Sequence, residues 1–215
     1  DAPTATITPA NYSATEQVVL TLHGTGLSIG DADDGGAVVE ATLSVITGTL
    51  NVTAGTTGVT IGGDGTSTLM LTGTVSQINN LLSGNLGATL SYIDSSDNPP
   101  VSDTLTLQVD DLGNTGFGGA LTGSDTASIN ITALNDSPTI TSDGGGATAN
   151  ISVTENTEAV TTVTASDVEL DTVTYSISGG ADSGLFSIDP NSGALTFISA
   201  PNFEAPADAN TDNVY

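Results

Sequence analysis

Oxygen-bearing side chains dominate the residues of this sequence that could take part in chemistry. The chain has 25 Asp and Glu residues, no Lys, no Arg, no Cys and a single His, which is His23. Calcium is bound by about six to eight oxygen atoms from carboxylates, amides, backbone carbonyls and water. The composition therefore favours binding of Ca²⁺ and leaves few side chains for catalysis.

Four acidic clusters lie in turns where several oxygens can face one ion. They are Asp31, Asp33 and Asp34; Asp110, Asp111 and Asn114; Asp167, Glu169 and Asp171; and Asp208, Asn210 and Asp212. The last fits the opening D-x-[DN]-x-[DN] of a calcium loop, although Asn213 stands where an EF-hand has Gly and no bidentate Glu follows. Because Asp, Asn and Gly also favour turns for backbone reasons, each cluster taken singly is equally compatible with a plain turn.

The net charge of −25 excludes several classes of function. No basic residue is present to neutralise phosphates or to bind anionic lipids, so we expect neither nucleic acid nor a membrane surface as a partner. No apolar run approaches the ~20 residues of a membrane-spanning helix. We also expect no enzymatic activity, because the paired carboxylates lie in turns without aromatic residues to stack a sugar. His23, at a predicted strand end, is expected to be a partly buried structural residue.

Alternation of Val, Ile, Leu and Ala with Thr and Ser predicts an all-β fold of the sandwich type. Predicted strands cover 5–8, 18–22, 41–45, 68–72, 88–92, 104–109 and 127–132, then 150–153, 160–164, 172–177 and 194–198. One short segment, 76–82, has apolar residues at helical spacing.

An internal repeat divides the chain near residue 136. The run Asp1-Ala-Pro-Thr returns as Asp136-Ser-Pro-Thr, and Thr-Glu16-Gln returns as Thr-Glu155-Asn, each followed by an acidic turn. We therefore predict two domains, 1–135 and 136–215. The second is too short to complete its last strands, which would leave an exposed edge. Recurrence of the same acidic pattern, with no basic residue to offset it, favours calcium over plain turns for the set as a whole.

Both halves also resemble known repeats. The second half resembles a bacterial cadherin-like domain in four runs: Val153-Thr-Glu155-Asn156, Ala165-Ser-Asp167-Val-Glu169, Leu185-Phe-Ser-Ile-Asp189 with Gly193, and Asn202-Phe-Glu204. The first half resembles repeats of giant acidic bacterial surface adhesins of the RTX type in Ile29-Gly-Asp31-Ala-Asp33, the segment 73–82, Asp111-Leu-Gly-Asn-Thr-Gly116 and Asn135-Asp136-Ser-Pro138. The resemblance implies two tandem immunoglobulin/cadherin-like β-sandwich domains.

The same resemblance implies that Ca²⁺ binds where consecutive domains meet. The cage between the two domains would comprise Glu16, Asn135, Asp136, Asp167 and Glu169. Glu155 and Glu204 would serve a junction downstream, and Asp1, Asp31 and Asp33 would serve one upstream. The sequence departs from the cadherin pattern in two places, since Asn202 replaces an acidic ligand and the acidic turn of the second half reads Asp-x-Glu rather than Asp-x-Asp.

Together these observations predict a calcium-rigidified spacer segment of a large secreted bacterial surface adhesin. Its partners would be adjacent repeats of the same long chain, outside the cell, and the opening Asp1 suggests a piece of a longer protein. One alternative is the repeat unit of a self-assembling extracellular filament or matrix protein, in which the exposed edge pairs with another copy. A third class is an adhesive module that binds glycan or protein directly.

Overall fold

A computed structural model describes residues 1–113 and 119–215. The predicted ligand Asn114, and residues 115 and 116 of the run Asp111–Gly116, therefore lie outside the described residues. The chain divides into two compact units, Asp1–Leu134 and Asn135–Tyr215. β-Strands are the main regular structure of both units, and the predicted all-β class is confirmed. No helix in the described residues is long and apolar enough to cross a bilayer.

The first unit consists of strands connected by Gly-rich and Asp-rich turns. Its strands are β1 (Thr4–Ile7), β2 (Asn11–Thr15), β3 (Leu20–Thr21), β4 (Leu27–Gly30), β5 (Val38–Ser44), β6 (Thr49–Thr53), β7 (Thr60–Gly62), β8 (Thr68–Thr74), β9 (Thr89–Ile93), β10 (Ser102–Asp110) and β11 (Thr122–Thr132). A six-stranded sheet has the order β2-β11-β10-β5-β8-β7, a three-stranded sheet has the order β3-β9-β6, and β1 pairs with β4.

The core of the first unit lies between these sheets because their strands alternate apolar and polar residues. Leu43 and Leu107 of the six-stranded sheet, and Leu50 and Leu90 of the three-stranded sheet, belong to one cluster of buried side chains. Predicted strands at 41–45, 68–72, 88–92, 104–109 and 127–132 overlap β5, β8, β9, β10 and β11. Alternation identified these strands because one face of each meets the core.

Among the described residues there is one α-helix, α1 (Val75–Leu82), which follows β8 in the first unit as the spacing at 76–82 predicts. A capping box formed by Thr74 and Gln77 satisfies the free amides at its start. Its buried face carries Ile78, Leu81 and Leu82. The helix therefore contributes apolar surface to the core of this unit.

Strands β2 and β11 pair in parallel, whereas the other strand pairs of the described residues are antiparallel. The register runs from Asn11 opposite Ser128 to Thr15 opposite Thr132. Because both strands end at the same edge, residues that follow Thr15 lie beside residues that follow Thr132.

The second unit has shorter strands and a smaller core. Its strands are β12 (Thr139–Ile140), β13 (Ala159–Thr162), β14 (Ala165–Ser166), β15 (Phe186–Ile188) and β16 (Ala194–Phe197). They form a β12-β14 pair and a three-stranded sheet of order β13-β16-β15. Phe197 is the one buried hydrophobic residue among those of this unit.

Two predicted strands of the second unit are wrong, because the segments 150–153 and 172–177 are irregular in the structure. Tyr175 donates its backbone N–H to Pro190 O at 3.0 Å, which is an isolated bond rather than part of a ladder. A strand requires a partner that supplies hydrogen bonds along its length. An alternating sequence without such a partner remains irregular.

Candidate metal centres

The carboxylate of Glu16 is buried at the edge where β2 and β11 end. Glu16 follows β2 directly, its backbone N–H donates to Thr132 O at 3.0 Å, and it is only 1% exposed. Its Oε2 accepts a hydrogen bond of 2.9 Å from the backbone N–H of Leu134. The chain that leaves β11 therefore runs across this carboxylate.

Asp94 and Asp97, which follow β9, lie at the same end of the first unit. The backbone N–H of Gln17 donates to Asp94 O, and the Gln17 amide donates to Asp97 Oδ1, both at 2.8 Å. A carboxylate oxygen of Asp97 lies within 4.8 Å of one from Glu16. Asp94 is buried, and its Oδ2 has no hydrogen-bond partner among the described residues. The carboxylates of Glu16 and Asp97 thus lie close enough to share a metal ion, and the buried Asp94 lies in the same loop as Asp97.

Asp94 and Asp97 were missed in the sequence, and the correspondence with the second unit that identifies them is visible only in the structure. Asn156 N–H donates to Pro201 O at 2.8 Å, as Gln17 N–H does to Asp94 O. Gln17 and Asn156 also share positive φ angles of 57° and 61°. If Pro201 corresponds to Asp94, then Glu204, three residues later, corresponds to Asp97.

The equivalent end of the second unit contains the predicted ligands Glu155 and Glu204. Glu155 Oε2 accepts a bond of 3.3 Å from Phe203 N–H, and Glu204 N–H donates to Asn202 Oδ1 at 3.0 Å. Both acidic residues are exposed. The structure brings their segments together but leaves the carboxylates more open to solvent than that of Glu16.

At the start of the second unit, Asp136, Asp167 and Glu169 come together. Asp167 Oδ1 accepts backbone bonds of 3.1 Å from Glu169 and from Asp171. Glu169 Oε2 accepts a bond of 3.3 Å from Asp136 N–H, and its Oε1 is buried without a hydrogen-bond partner among the described residues. Asn135 donates its side-chain amide to Asp136 O at 3.1 Å. Asp171 is exposed, so its backbone closes the turn while its side chain faces solvent.

A further acidic pair lies at the end of β4 in the first unit. The Asn79 side chain of α1 fixes this strand by binding both Ile29 N–H at 2.9 Å and Ile29 O at 2.8 Å. Beyond it, Asp33 N–H donates to Asp31 Oδ1 at 3.4 Å. Burial, followed by the adjacent Asp33 carboxylate, raises the pKa of Asp31. The Asp1 ammonium, which donates to Asp33 Oδ2 at 2.8 Å, lowers the pKa of Asp33.

Other predicted ligands at this end serve the backbone of their own turns. Asp34 accepts a bond of 2.7 Å from Ala37 N–H through its backbone carbonyl. Asp110 Oδ1 accepts from Leu112 N–H at 2.7 Å, whereas Asp111 Oδ1 accepts from both Gly113 and Leu121 at 2.8 Å. Asp111 also contributes, after Asp33 and Asp31, to raising the pKa of the Asp1 ammonium. It therefore acts electrostatically on the same end of the unit.

Burial alone does not mark a metal site in this protein. Asp103 is buried, yet its carboxylate accepts bonds from Ile46 N–H at 2.9 Å, from Thr47 N–H at 3.0 Å and from the Tyr92 hydroxyl at 3.2 Å. Burial is the main cause that raises the pKa of Tyr92, and the Asp103 charge adds to it. Asp103 is thus a structural acid whose oxygens are fully used.

His23 is half-buried and holds part of the backbone of the first unit. Its Nδ1 lies 3.0 Å from Leu90 N, which donates to it. Its ring packs against Gly84, where a Cβ would collide with it. This placement agrees with the structural role predicted for it.

The remaining predicted cluster lies near the end of the second unit. Asp208 is buried, and its Oδ2 accepts a bond of 2.8 Å from Asp212 N–H. Asn210 donates its side-chain amide to Asp212 Oδ2 at 2.8 Å. The structure therefore brings Asp208, Asn210 and Asp212 together in one tight loop.

No protein-family model and no curated protein matches this chain. Among solved structures, mouse cadherin-23 EC22-24 matches 94% of this chain and 56% of its own, with 16% identity and a TM-score of 0.42. Protocadherin gamma C5 EC1-3 matches 94% and 59%, with 17% identity and a TM-score of 0.44. Mouse protocadherin-24 EC1-3 matches 94% and 59%, with 19% identity and a TM-score of 0.42. The chain spans little more than half the length of these matched chains, and TM-scores at this level assign no family.

Proposed function

We propose that the chain is a calcium-rigidified spacer segment of a longer extracellular surface protein. The observation that carries the proposal is the close approach of the Glu16 and Asp97 carboxylates at the end of the first unit, where Asp94 is also buried. Glu16 is 1% exposed, Asp94 is 4% exposed, and the chain contains no Lys or Arg to neutralise them. Burying uncompensated carboxylates is costly, whereas a bound cation converts them into ligands.

The linker supplies the second half of the proposed cage. Leu134 N–H donates to Glu16 within the first unit, and Asp136 N–H donates to Glu169 within the second. Two residues of chain span at most about 7 Å, so we propose that this short linker lets the Glu16 and Glu169 carboxylates share one ion. Asp136 and Asp167 extend the set of oxygens available to an ion held there.

Calcium would act mechanically rather than catalytically. Without the ion, facing carboxylates repel and the linker bends; with it, positive charge holds both sides of the junction. Because such an ion binds only the ordered arrangement, it adds stability by mass action, about 2.7 kcal/mol at a concentration 100 times the Kd.

The proposed setting is a secreted bacterial adhesin built of tandem repeats, with neighbouring repeats of the same chain as partners. One feature supports an extracellular location, and another supports a tandem repeat. The ligands are carboxylate and amide oxygens on turns, and extracellular modules of this kind bind Ca²⁺ with Kd values of about 10⁻⁴–10⁻³ M. The acidic pattern at 1–34 recurs at 136–171, as expected of a unit made to be repeated.

Distance measurements between the units test this proposal. The chain has no Cys, so spin labels can be attached through Ile46→Cys in the first unit and Ile198→Cys in the second. These positions are 76% and 61% exposed, which makes labelling harmless to the fold. We expect a broad distance distribution in EDTA and a narrow one in millimolar Ca²⁺.

Variants of the cage provide the controls for this experiment. Adding Glu16→Gln or Asp167→Asn to the labelled protein should keep the distribution broad in Ca²⁺. Asp64→Asn is the control, because the Asp64 carboxylate accepts a bond from Val52 N–H and lies outside the proposed cage. The distance distribution of this variant should become narrow in Ca²⁺, as that of the parent protein does. Equal widths in EDTA and Ca²⁺ for the parent protein would contradict the proposed rigid spacer.

A further inference from the structure

We propose that the loop 208–212 and Asp182 form a separate Ca²⁺ site inside the second unit. This site does not depend on a junction between domains, because its groups all belong to that unit. It would bind a hard divalent cation through carboxylate and amide oxygens and fix the loop to the body of the unit.

The buried carboxylate of Asp208 is the main observation. Asp208 is 4% exposed, and its Oδ2 accepts a bond of 2.8 Å from Asp212 N–H, so the carboxylate points into the loop. Its Oδ1 is also buried and has no hydrogen-bond partner among the described residues. In Asp103, by contrast, backbone and hydroxyl donors occupy both oxygens. Asp208 is therefore built like a ligand and not like a structural acid.

Asp182 brings a second carboxylate to the loop from a distant part of the chain. Its Oδ1 accepts a bond of 2.7 Å from Ala209 N–H, next to Asp208. The loop has the D-x-N-x-D pattern but lacks the later Glu that completes an EF-hand. In the proposed site, Asp182 supplies the further carboxylate that the loop itself lacks.

The chemistry of the group favours calcium. Asp208 and Asp212 carry two negative charges on the loop, Asp182 carries a third against its backbone, and the chain has no Lys or Arg to offset them. The ligands lie on turns that can adjust their spacing, which suits the variable geometry of Ca²⁺ better than the strict octahedron of Mg²⁺. A site of this kind should therefore select Ca²⁺ over Mg²⁺.

Ion binding at this loop would also order the small core of the second unit. Tyr215, three residues after Asp212, packs edge-on against Phe197 with ring centroids 5.0 Å apart and against Phe186 at 6.4 Å. Asp182 and Tyr215 both line a cavity of about 510 Å³ beside these rings. Fixing the loop thus holds Tyr215 on the one buried aromatic residue of the unit.

Terbium luminescence tests the proposal on the full 215-residue chain. Tb³⁺ replaces Ca²⁺ in oxygen sites and emits when a nearby Tyr is excited, and the chain has four Tyr and no Trp to interfere. We expect emission that Ca²⁺ displaces and Mg²⁺ does not. Tyr215→Phe should abolish the part of the emission that comes from this site. Asp208→Asn should lower the Tb³⁺ affinity of this site at least about tenfold, because loss of even an outer partner of a metal ligand costs about 10–100-fold in affinity.

Matched variants separate this site from folding defects and from the proposed junction. Asp189→Asn removes a charge from another turn of the same unit, whose carboxylate is bound by Asn191 and Ser192, and should leave the emission unchanged. Asn210→Ala, at an exposed position, should weaken binding without unfolding the unit, as circular dichroism in EDTA would check. Glu16→Gln should leave the Tyr215 emission intact. Unchanged Tb³⁺ affinity in both Asp208→Asn and Asn210→Ala, or an equal loss in Asp189→Asn, would overturn this proposal while leaving the spacer proposal to its own distance measurement.

Discussion

Replacing Glu16 by Gln removes one charge from the proposed cage while keeping the size of the side chain. Gln retains an oxygen that can accept the bond from Leu134 N–H. An Asp97 oxygen lies within 4.8 Å of the wild-type carboxylate. At that separation two like charges repel by about 1 kcal/mol in a water-like medium and about 3 kcal/mol at an effective dielectric constant of about 20. Because Asp97 is exposed, the true repulsion lies toward the lower figure.

We therefore expect effects of opposite sign with and without calcium. In EDTA, Glu16→Gln should raise the free energy of unfolding of the first unit by about 1 kcal/mol, because repulsion is relieved. In Ca²⁺ at 100 times the Kd, the wild type gains about 2.7 kcal/mol that the variant largely loses. Since 1 kcal/mol corresponds to about 3–5 °C in Tm for a unit of this size, the calcium-induced shift should fall from about 10 °C to a few degrees.

Scanning calorimetry of the full chain in EDTA, millimolar Ca²⁺ and millimolar Mg²⁺ measures both effects. Asp64→Asn is the matched control, because it removes one charge from the same unit at a carboxylate that binds Val52 N–H. Its calcium-induced shift should equal that of the wild type. A lower Tm for Glu16→Gln in EDTA, or an undiminished shift in Ca²⁺, would refute the assignment of Glu16 as a ligand.

Three further predictions concern other features of the chain. Asp103→Ala should lower the free energy of unfolding by about 3–5 kcal/mol, because buried backbone and Tyr92 donors lose their acceptor. Urea unfolding should give the same loss in EDTA and in Ca²⁺, and a loss that depends on calcium would contradict the structural role of Asp103. Bonds from the Ser192 backbone and hydroxyl, then from Asn191, lower the pKa of Asp189. The contribution of Asp189 to stability should therefore be present above about pH 4 and be lost as the pH falls through the lowered pKa. An NMR titration of this carboxyl group with a midpoint at or above the ordinary pKa would contradict the prediction. Sedimentation in millimolar Ca²⁺ should give monomers, whereas large species would favour the filament alternative.

Much of the first unit was predictable from its sequence because its strands have one face in the core. Successive residues of β5, β8 and β10 point alternately into the core and away from it. The alternation of apolar and polar residues in the sequence therefore predicts which face of each strand is buried. The helix was predictable for a similar reason, since Ile78, Leu81 and Leu82 share one face. Short edge strands such as β7 lack this signal, and their pairing depends on the neighbouring β8.

Two features of the candidate sites depend on distant contacts and were beyond the sequence pattern. Asp94 and Asp97 lie in a run, Asp-Ser-Ser-Asp, that is typical of an ordinary turn. Asp97 approaches Glu16 because the loop after β9 lies beside the end of β2, where Gln17 binds Asp94 O through its backbone and Asp97 through its side chain. Asp182 likewise accepts the bond from Ala209 N–H across a separation of 27 residues, and neither residue type nor spacing predicts that contact.

The parallel pairing of β2 with β11 has a consequence for a protein under tension. A force that pulls residue 11 away from residue 132 acts along these two strands, which run side by side over five registered pairs. Bonds of a parallel ladder loaded in this direction must slide and break together, whereas strands pulled apart from one end open one bond at a time. The first unit therefore has a shear-loaded pair of strands between its two ends, and it should withstand a larger force in this direction than when the same strands are pulled apart from one end.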